Sequence, residues 1–322
     1  MSRLWSAGKL RRALHYALYD WTREMPRSKR LITWTGILIQ GYAIYSGFAR
    51  TLAWPWIWPR GGYLYLAVFL LYCFGYMLMN GMLTSEFIRK TQLESDQIAA
   101  RKIQQTLIPQ GLPELPGYHA ETIYKPFREV GGDYFDVIDL PGDRTLFVLA
   151  DVSGKGVAAA LLAANIQALV RSIASRNEAL LAFATQINQH LFRYAPAGRF
   201  ATAVFLMLNR NSGELKFVNA GHNAPIIFGL GPMTPLKATG MPLGLFAEPN
   251  YEEGTAIVHY DETILMFTDG LPDSISGNDP ERLLRESLLA QSGTTMSNLA
   301  ALIDPELNED DVTILLLRRN AC

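Results

Sequence analysis

The chain has 322 residues, room for two modest domains or for one large domain with attachments. Hydrophobic residues make up 49% and charged ones only 18%, which excludes disorder over most of the length. A formal charge of −1 gives no global field for nucleic acid, and two cysteines as far apart as Cys73 and Cys322 exclude a disulfide framework or a cysteine-built zinc site.

The charge is unevenly placed. Residues 1–30 hold eight Lys/Arg against two Asp/Glu, so the remainder is net acidic. From Leu31 to Ala49 no residue carries a formal charge, and 19 residues of helix span roughly 28 Å, close to a bilayer core. A second uncharged run extends from Gly61 to Ser85. The segment between them carries Trp54, Trp56 and Trp58, a residue type suited to a membrane–water interface. These features predict a basic cytoplasmic leader (1–30), a transmembrane helix (31–49), a short external loop (50–60) and a second transmembrane helix (61–83). The basic flank places the N-terminus inside, and two spans return the rest of the chain to the cytoplasm, anchored to the inner membrane. A basic leader this long, with no small-residue cleavage site after the apolar run, does not read as a cleavable signal peptide.

Residues 84–110 predict a helical linker, free of Gly and Pro up to Pro109. Ala99, Ile103 and Leu107 share one face at i, i+4 spacing, which serves a homodimer seam or packing on the next domain equally well. Pro109, Gly111, Pro113, Pro116 and Gly117 then mark a boundary, and the next domain is expected over 117–319. A buried strand is expected at 144–151 and strands at 200–209, 214–220 and 312–318, with further strands near 225–228, 251–259 and 262–269. Helices are expected at 157–173, 178–194 and 280–291. Runs of strands around a few helices indicate an α+β domain rather than a βαβ repeat.

Acidic residues recur at the ends of these strands. Asp133 lies in GGDYFD, Asp151 in LADVSGKG, Asp269 in MFTDG, and Asp310-Asp311 precedes VTILLL. One such Asp more often caps a turn than binds a metal. Several at the ends of apolar strands are economically explained by a shared divalent cation, because Mg2+ and Mn2+ take hard oxygen ligands. SGKG at 153–156 is no nucleotide loop: Leu149 stands where the motif needs Gly, and Gly156 where it needs Ser or Thr. Lys155 is left as a solvated turn residue or a partner for a phosphate. His222 in AGHN reads as structural, and His15, His119, His190 and His259 have no partner pattern.

The ordered set VGGDYFD, LADVSGKGVAAALLAA, FATAVFLML, FVNAGHNAP, MPLGL, MFTDGLPD and DDVTILLL resembles the SpoIIE/RsbU branch of the PPM metal-dependent serine/threonine phosphatases, over about residues 100–319. That resemblance implies an αββα sandwich, with two central sheets flanked by helices, and a site for two Mn2+ or Mg2+ ions. Carried over, Asp151 bridges both metals, the Val152 carbonyl is a further ligand, and Asp269 and Asp310 complete the first metal's set. Asp133 binds a metal directly or through water, and Asp136, Asp273, Asp311 and Lys155 are second-tier candidates. After TDG the branch commonly carries Glu, whereas here Leu271-Pro272-Asp273 follows. The implied activity is hydrolysis of phosphoserine or phosphothreonine on a protein, the implied partner a phosphorylated STAS-type anti-sigma-factor antagonist. The alternative from another class is a signalling scaffold with a phosphatase-like fold and no catalysis.

Overall fold

The computed structural model describes residues 27–52, 62–109, 111–127, 130–176, 179–229, 231–276, 283, 284, 286, 288, 296–304 and 306–321. The leader up to residue 26, most of the external loop with its three tryptophans, and most of the predicted helix 280–291 lie outside these residues. The chain divides into two compact units, one ending at Ser95 and the other beginning at Asp96.

The first unit contains helix α1, Arg27–Leu52, and most of helix α2, Gly62–Leu107. Two glycines let them touch: a Cβ at Gly75 would stand 3.0 Å from Ile39 Cγ2 and 3.4 Å from the Gly36 carbonyl oxygen. Their polar side chains fold back on their own helix, Thr35 onto the Leu31 carbonyl and Asn80 onto that of Tyr76. Large apolar side chains, among them Leu38, Phe69, Leu70, Phe74 and Met77, are exposed. Among the described residues two helices are long and apolar enough to cross a membrane. In Ala67–Leu107 only 11% of the apolar window is buried, whereas Val157–Ala174 is 50% buried and is a core helix of the second unit.

The second unit is built on two five-stranded antiparallel sheets. One has the order β2 (Tyr134–Leu140), β3 (Arg144–Val152), β4 (Ala201–Asn209), β5 (Glu214–Ala220), β8 (Gly254–Ile257). The other runs β1 (Tyr118–Lys125), β10 (Val312–Arg319), β9 (Thr263–Phe267), β6 (Ile226–Phe228), β7 (Thr234–Pro235). Period-two alternation sorts the side chains into layers. Phe147 and Leu149 of β3 meet Leu315 and Leu317 of β10 in the core between the sheets. Leu146, Val148 and Ala150 of β3 face the other way, onto helices α3 (Val157–Ala174) and α4 (Leu180–Tyr194). On the far side of the second sheet, Ile314 and Leu316 of β10 pack with Leu271 of the short helix α5 (Gly270–Asp273) and Leu299 of α6 (Met296–Leu302). The result is helix, sheet, sheet, helix.

Strands β1 and β2 and helix α6 were not among the sequence expectations. Of the linker stripe, Ala99 and Ile103 (63%) are exposed and Leu107 is half-buried, while the neighbouring Gln104 is buried and Ile108 packs against the intersheet core. Domain packing therefore does not account for Ile103.

Candidate metal centre

Antiparallel pairing gathers the acidic residues. Asp133 precedes β2 and Asp151 ends β3, and because β2 and β3 run in opposite directions both lie at one end of the first sheet. Asp269 follows β9 and Asp310-Asp311 precede β10, again one end of an antiparallel pair. The carboxyls feel one another across the two sheets. Asp151 is pushed up to about 7, first by burial and then by Asp269, Asp310 and Asp311. Asp269 is exposed as a residue, yet the protein around its carboxyl displaces enough water to raise it, and Asp310 and Asp273 add to the shift. Asp133, buried, is raised well above the usual carboxylate range by burial and then by Asp151, against two opposing hydrogen bonds.

Those two hydrogen bonds come from residues the sequence did not single out. Thr268 Oγ1 donates to Asp133 Oδ2 at 2.9 Å, and Thr313 Oγ1 donates to the same oxygen. Each threonine lies within two positions of a site aspartate in MFTDG or DDVT, but only the β9–β10 pairing shows both reaching Asp133. The Val152 carbonyl lies against Gly132, where a Cβ would come within 3.0 Å of its oxygen. Gly270 lets Asp269 close on the β10 entry, since a Cβ there would stand 2.1 Å from the Asp311 carbonyl oxygen.

The second-tier residues separate by their partners. Asp311 uses its carboxylate on the backbone: Oδ1 accepts from Phe127 N–H at 2.8 Å and Oδ2 from Gly132 N–H at 2.6 Å. Asp136 is fully buried and accepts from the Arg171 guanidinium at 2.8 and 3.1 Å and from the Tyr134 hydroxyl at 3.0 Å. It is a satisfied ion pair against α3, outside the cluster. Asp273 is exposed and acts on Asp269 electrostatically. Lys155 Nζ stands 2.8 Å from Asp310 Oδ2. His222 is buried, its Nδ1 paired with Thr202 Oγ1 at 2.8 Å and its backbone N–H given to Asn219 Oδ1, and burial lowers it to about 4. That is a neutral core histidine.

The donor set fits Mg2+ or Mn2+ by its chemistry. It offers hard oxygens only, and its negative charge exceeds what Lys155 balances, as the raised carboxyls show. Among the described residues, no three His, Cys, Asp or Glu side chains converge on one point as a preformed cage.

Two antiparallel sheets between helix layers, with carboxylates at one end, define a PP2C-like protein. The sequence profile described as "Stage II sporulation protein E (SpoIIE)" matches residues 141–320, more than half the chain. The chain belongs to the SpoIIE family, the SpoIIE/RsbU type of PPM phosphatase. It is 24% identical over 240 residues to phosphoserine phosphatase RsbU of Bacillus subtilis, covering 71% of each chain. The SiaA-PP2C domain of Pseudomonas aeruginosa superposes with a TM-score of 0.59 at 21% identity, over 71% of this chain and 98% of that one. RsbX in complex with magnesium gives a TM-score of 0.51 at 20% identity, over 64% and 98%. The chain spans 41%, 71% and 44% of the lengths of three curated relatives it matches.

Proposed function

We propose that the chain is a membrane-anchored protein serine/threonine phosphatase. The observation that carries the reading is the gathering of Asp133, Asp151, Asp269 and Asp310 from both sheets to one end of the sandwich, where burial first and neighbouring carboxylates second raise Asp133, Asp151 and Asp269. Such crowding is costly without cations, and hard divalent ions suit it. Asp133, Asp151, Asp269, Asp310 and the Val152 carbonyl would hold two Mn2+ or Mg2+ ions. Bound there, the ions supply a water acidified toward neutral pH and positive charge for the phosphoryl oxygens.

The chain's own residues do the rest. Thr268 and Thr313 hold Asp133 by hydrogen bonds that favour its ionised, ligating form. Asp311 fixes the backbone leading to Asp133 at two points, Phe127 and Gly132. Gly132 leaves the Val152 carbonyl uncovered on that side. No side-chain nucleophile would be required, since the ions would supply an activated water.

The exposed apolar side chains of α1 and α2 support a two-helix membrane hairpin, and the basic residues before the first apolar run support a cytoplasmic second unit. The exposed Ile103 on the linker supports a homodimer seam. The family suggests a phosphorylated STAS-type antagonist of an anti-sigma factor as substrate. The test is phosphate release from a phosphoserine protein by the full chain in detergent, with Mn2+ and with chelator. Release that needs the cation and is lost in Asp151→Asn supports the reading. A folded, cation-loaded chain with no release on any phosphoprotein favours a scaffold.

A further inference from the structure

Lys155 lies between two glycines of the turn after β3, with φ of +92° at Gly154 and +80° at Gly156. A solvated turn lysine would point away from the fold. This one makes three contacts with other segments. Its ammonium is 2.8 Å from Asp310 Oδ2, donates to the Glu309 carbonyl at 2.6 Å, and stands 5.5 Å from the centre of the Phe127 ring. Its charge also acts on Asp151 and Asp269, lowering both against their acidic neighbours. A single ammonium thus serves three carboxyls of the candidate metal centre.

We propose that Lys155 is a tethered counter-ion that competes with the divalent cation for Asp310, and so sets the cation concentration at which the centre fills. This rests on the reading of Asp310 as a metal ligand. The ammonium holds Asp310 when no cation is bound and releases it when one binds. Competition, not blockade, follows from the exposure of the pair: the side chains are 41% and 36% exposed, and such pairs are weak. A divalent ion bound by several carboxylates outbids one ammonium bound by one. The Glu309 carbonyl and the Phe127 ring keep the ammonium nearby, so it can return when the cation leaves. A lysine that stood clear of the carboxylates and met only a substrate phosphate would leave cation affinity unchanged without substrate.

The measurement is Mn2+ binding by isothermal titration calorimetry, on the full chain in detergent with no phosphoprotein present. Lys155→Gln is expected to bind Mn2+ about five-fold more tightly than wild type, the effect of removing one exposed ion pair and a nearby positive charge. Lys155→Arg, which keeps the charge, is expected to stay within about two-fold of wild type. Thermal unfolding checks that both variants are folded, as the exposure of Lys155 implies. Equal affinities for wild type and Lys155→Gln overturn the counter-ion and leave the metal centre standing. No Mn2+ binding by either overturns the metal centre, and the counter-ion with it. Binding by Lys155→Gln alone supports the proposal in its strongest form.

Discussion

Asp311 and Gly132 are joined by a hydrogen bond of 2.6 Å, from the Gly132 N–H to Asp311 Oδ2, while Oδ1 of the same carboxylate takes the Phe127 N–H at 2.8 Å. Of two adjacent aspartates, Asp311 gives both oxygens to the backbone of a distant segment, whereas Asp310 accepts the Asp311 N–H at Oδ1, 2.9 Å, and meets Lys155 at Oδ2. Asp311→Ala removes the acceptor for both N–H groups, and an orphaned buried donor costs about 1–3 kcal/mol. Asp310→Ala removes a partly exposed ion pair and one local hydrogen bond from the Asp311 N–H and, without metal, should cost about 1 kcal/mol. Thermal unfolding of the two variants in chelator separates them. Asp311→Ala should melt several degrees below wild type and Asp310→Ala close to it. Equal melting points would remove the distinction.

Asp151→Asn should have opposite effects on activity and stability. Its carboxyl is half-buried and repelled by Asp269, Asp310 and Asp311. Replacing it by a neutral amide of the same shape removes that repulsion. In chelator the variant should unfold at a higher temperature than wild type, while metal-dependent phosphate release falls below detection. A variant less stable than wild type in chelator would show that Asp151 is not held against the field of its neighbours.

The same repulsion sets a dependence on pH. The folded-state value of about 7 for Asp151 lies above the usual carboxylate value of about 3.9, so the folded protein holds the proton more tightly than the unfolded one. Its contribution to stability is full below about pH 4 and is lost as pH rises to about 7. Asp133 and Asp269, also raised, act in the same direction. Metal-free protein should therefore lose stability across that window, and saturating Mn2+ should flatten or reverse the slope. Melting temperature against pH, in chelator and in Mn2+, measures both. A slope untouched by Mn2+ would mean that the cation does not bind these groups.

Three of the expected strands were legible as apolar runs because both of their faces are covered. The runs at 144–152, 201–209 and 312–319 sit between two cores, so nearly every position is buried and the run is unbroken. Strand β1, YHAETIYK, is an edge strand of mixed burial and gives no such run. In β2, YFDVIDL, the buried Asp136 interrupts the pattern, because Arg171 of α3 neutralises it from a neighbouring layer. Asp151, Asp269 and Asp310 stood out because each ends or precedes an apolar strand. Thr268 and Thr313 did not, since their role depends on which strand pairs with which. Lys155 could be read only as a turn residue or a phosphate partner, for its contact with Asp310 joins segments far apart in the chain.

The end of α2 is tied to the acidic centre through Gln104. Its amide nitrogen donates to the Gly131 carbonyl at 2.6 Å, and its oxygen accepts the Gly131 N–H at 3.1 Å, so one side chain satisfies both backbone groups of one residue. Gln167 of α3 donates to the Leu107 carbonyl and secures the last turn of the same helix. Gly131 is two positions before Asp133, and Gly132 between them is held by Asp311. The segment carrying Asp133 thus has one anchor in the linker helix and one in the β10 entry. Gln104→Ala removes the first and leaves the Gly131 groups without their partner, a cost of about 1–3 kcal/mol. Amide hydrogen exchange should speed up over residues 130–134 and over the last turn of α2, while the β6–β9 amides, which lie in the other sheet, keep their rates. Exchange at 130–134 unchanged in Gln104→Ala would show that Asp311 alone holds the segment, and that the linker helix has no mechanical hold on the metal centre.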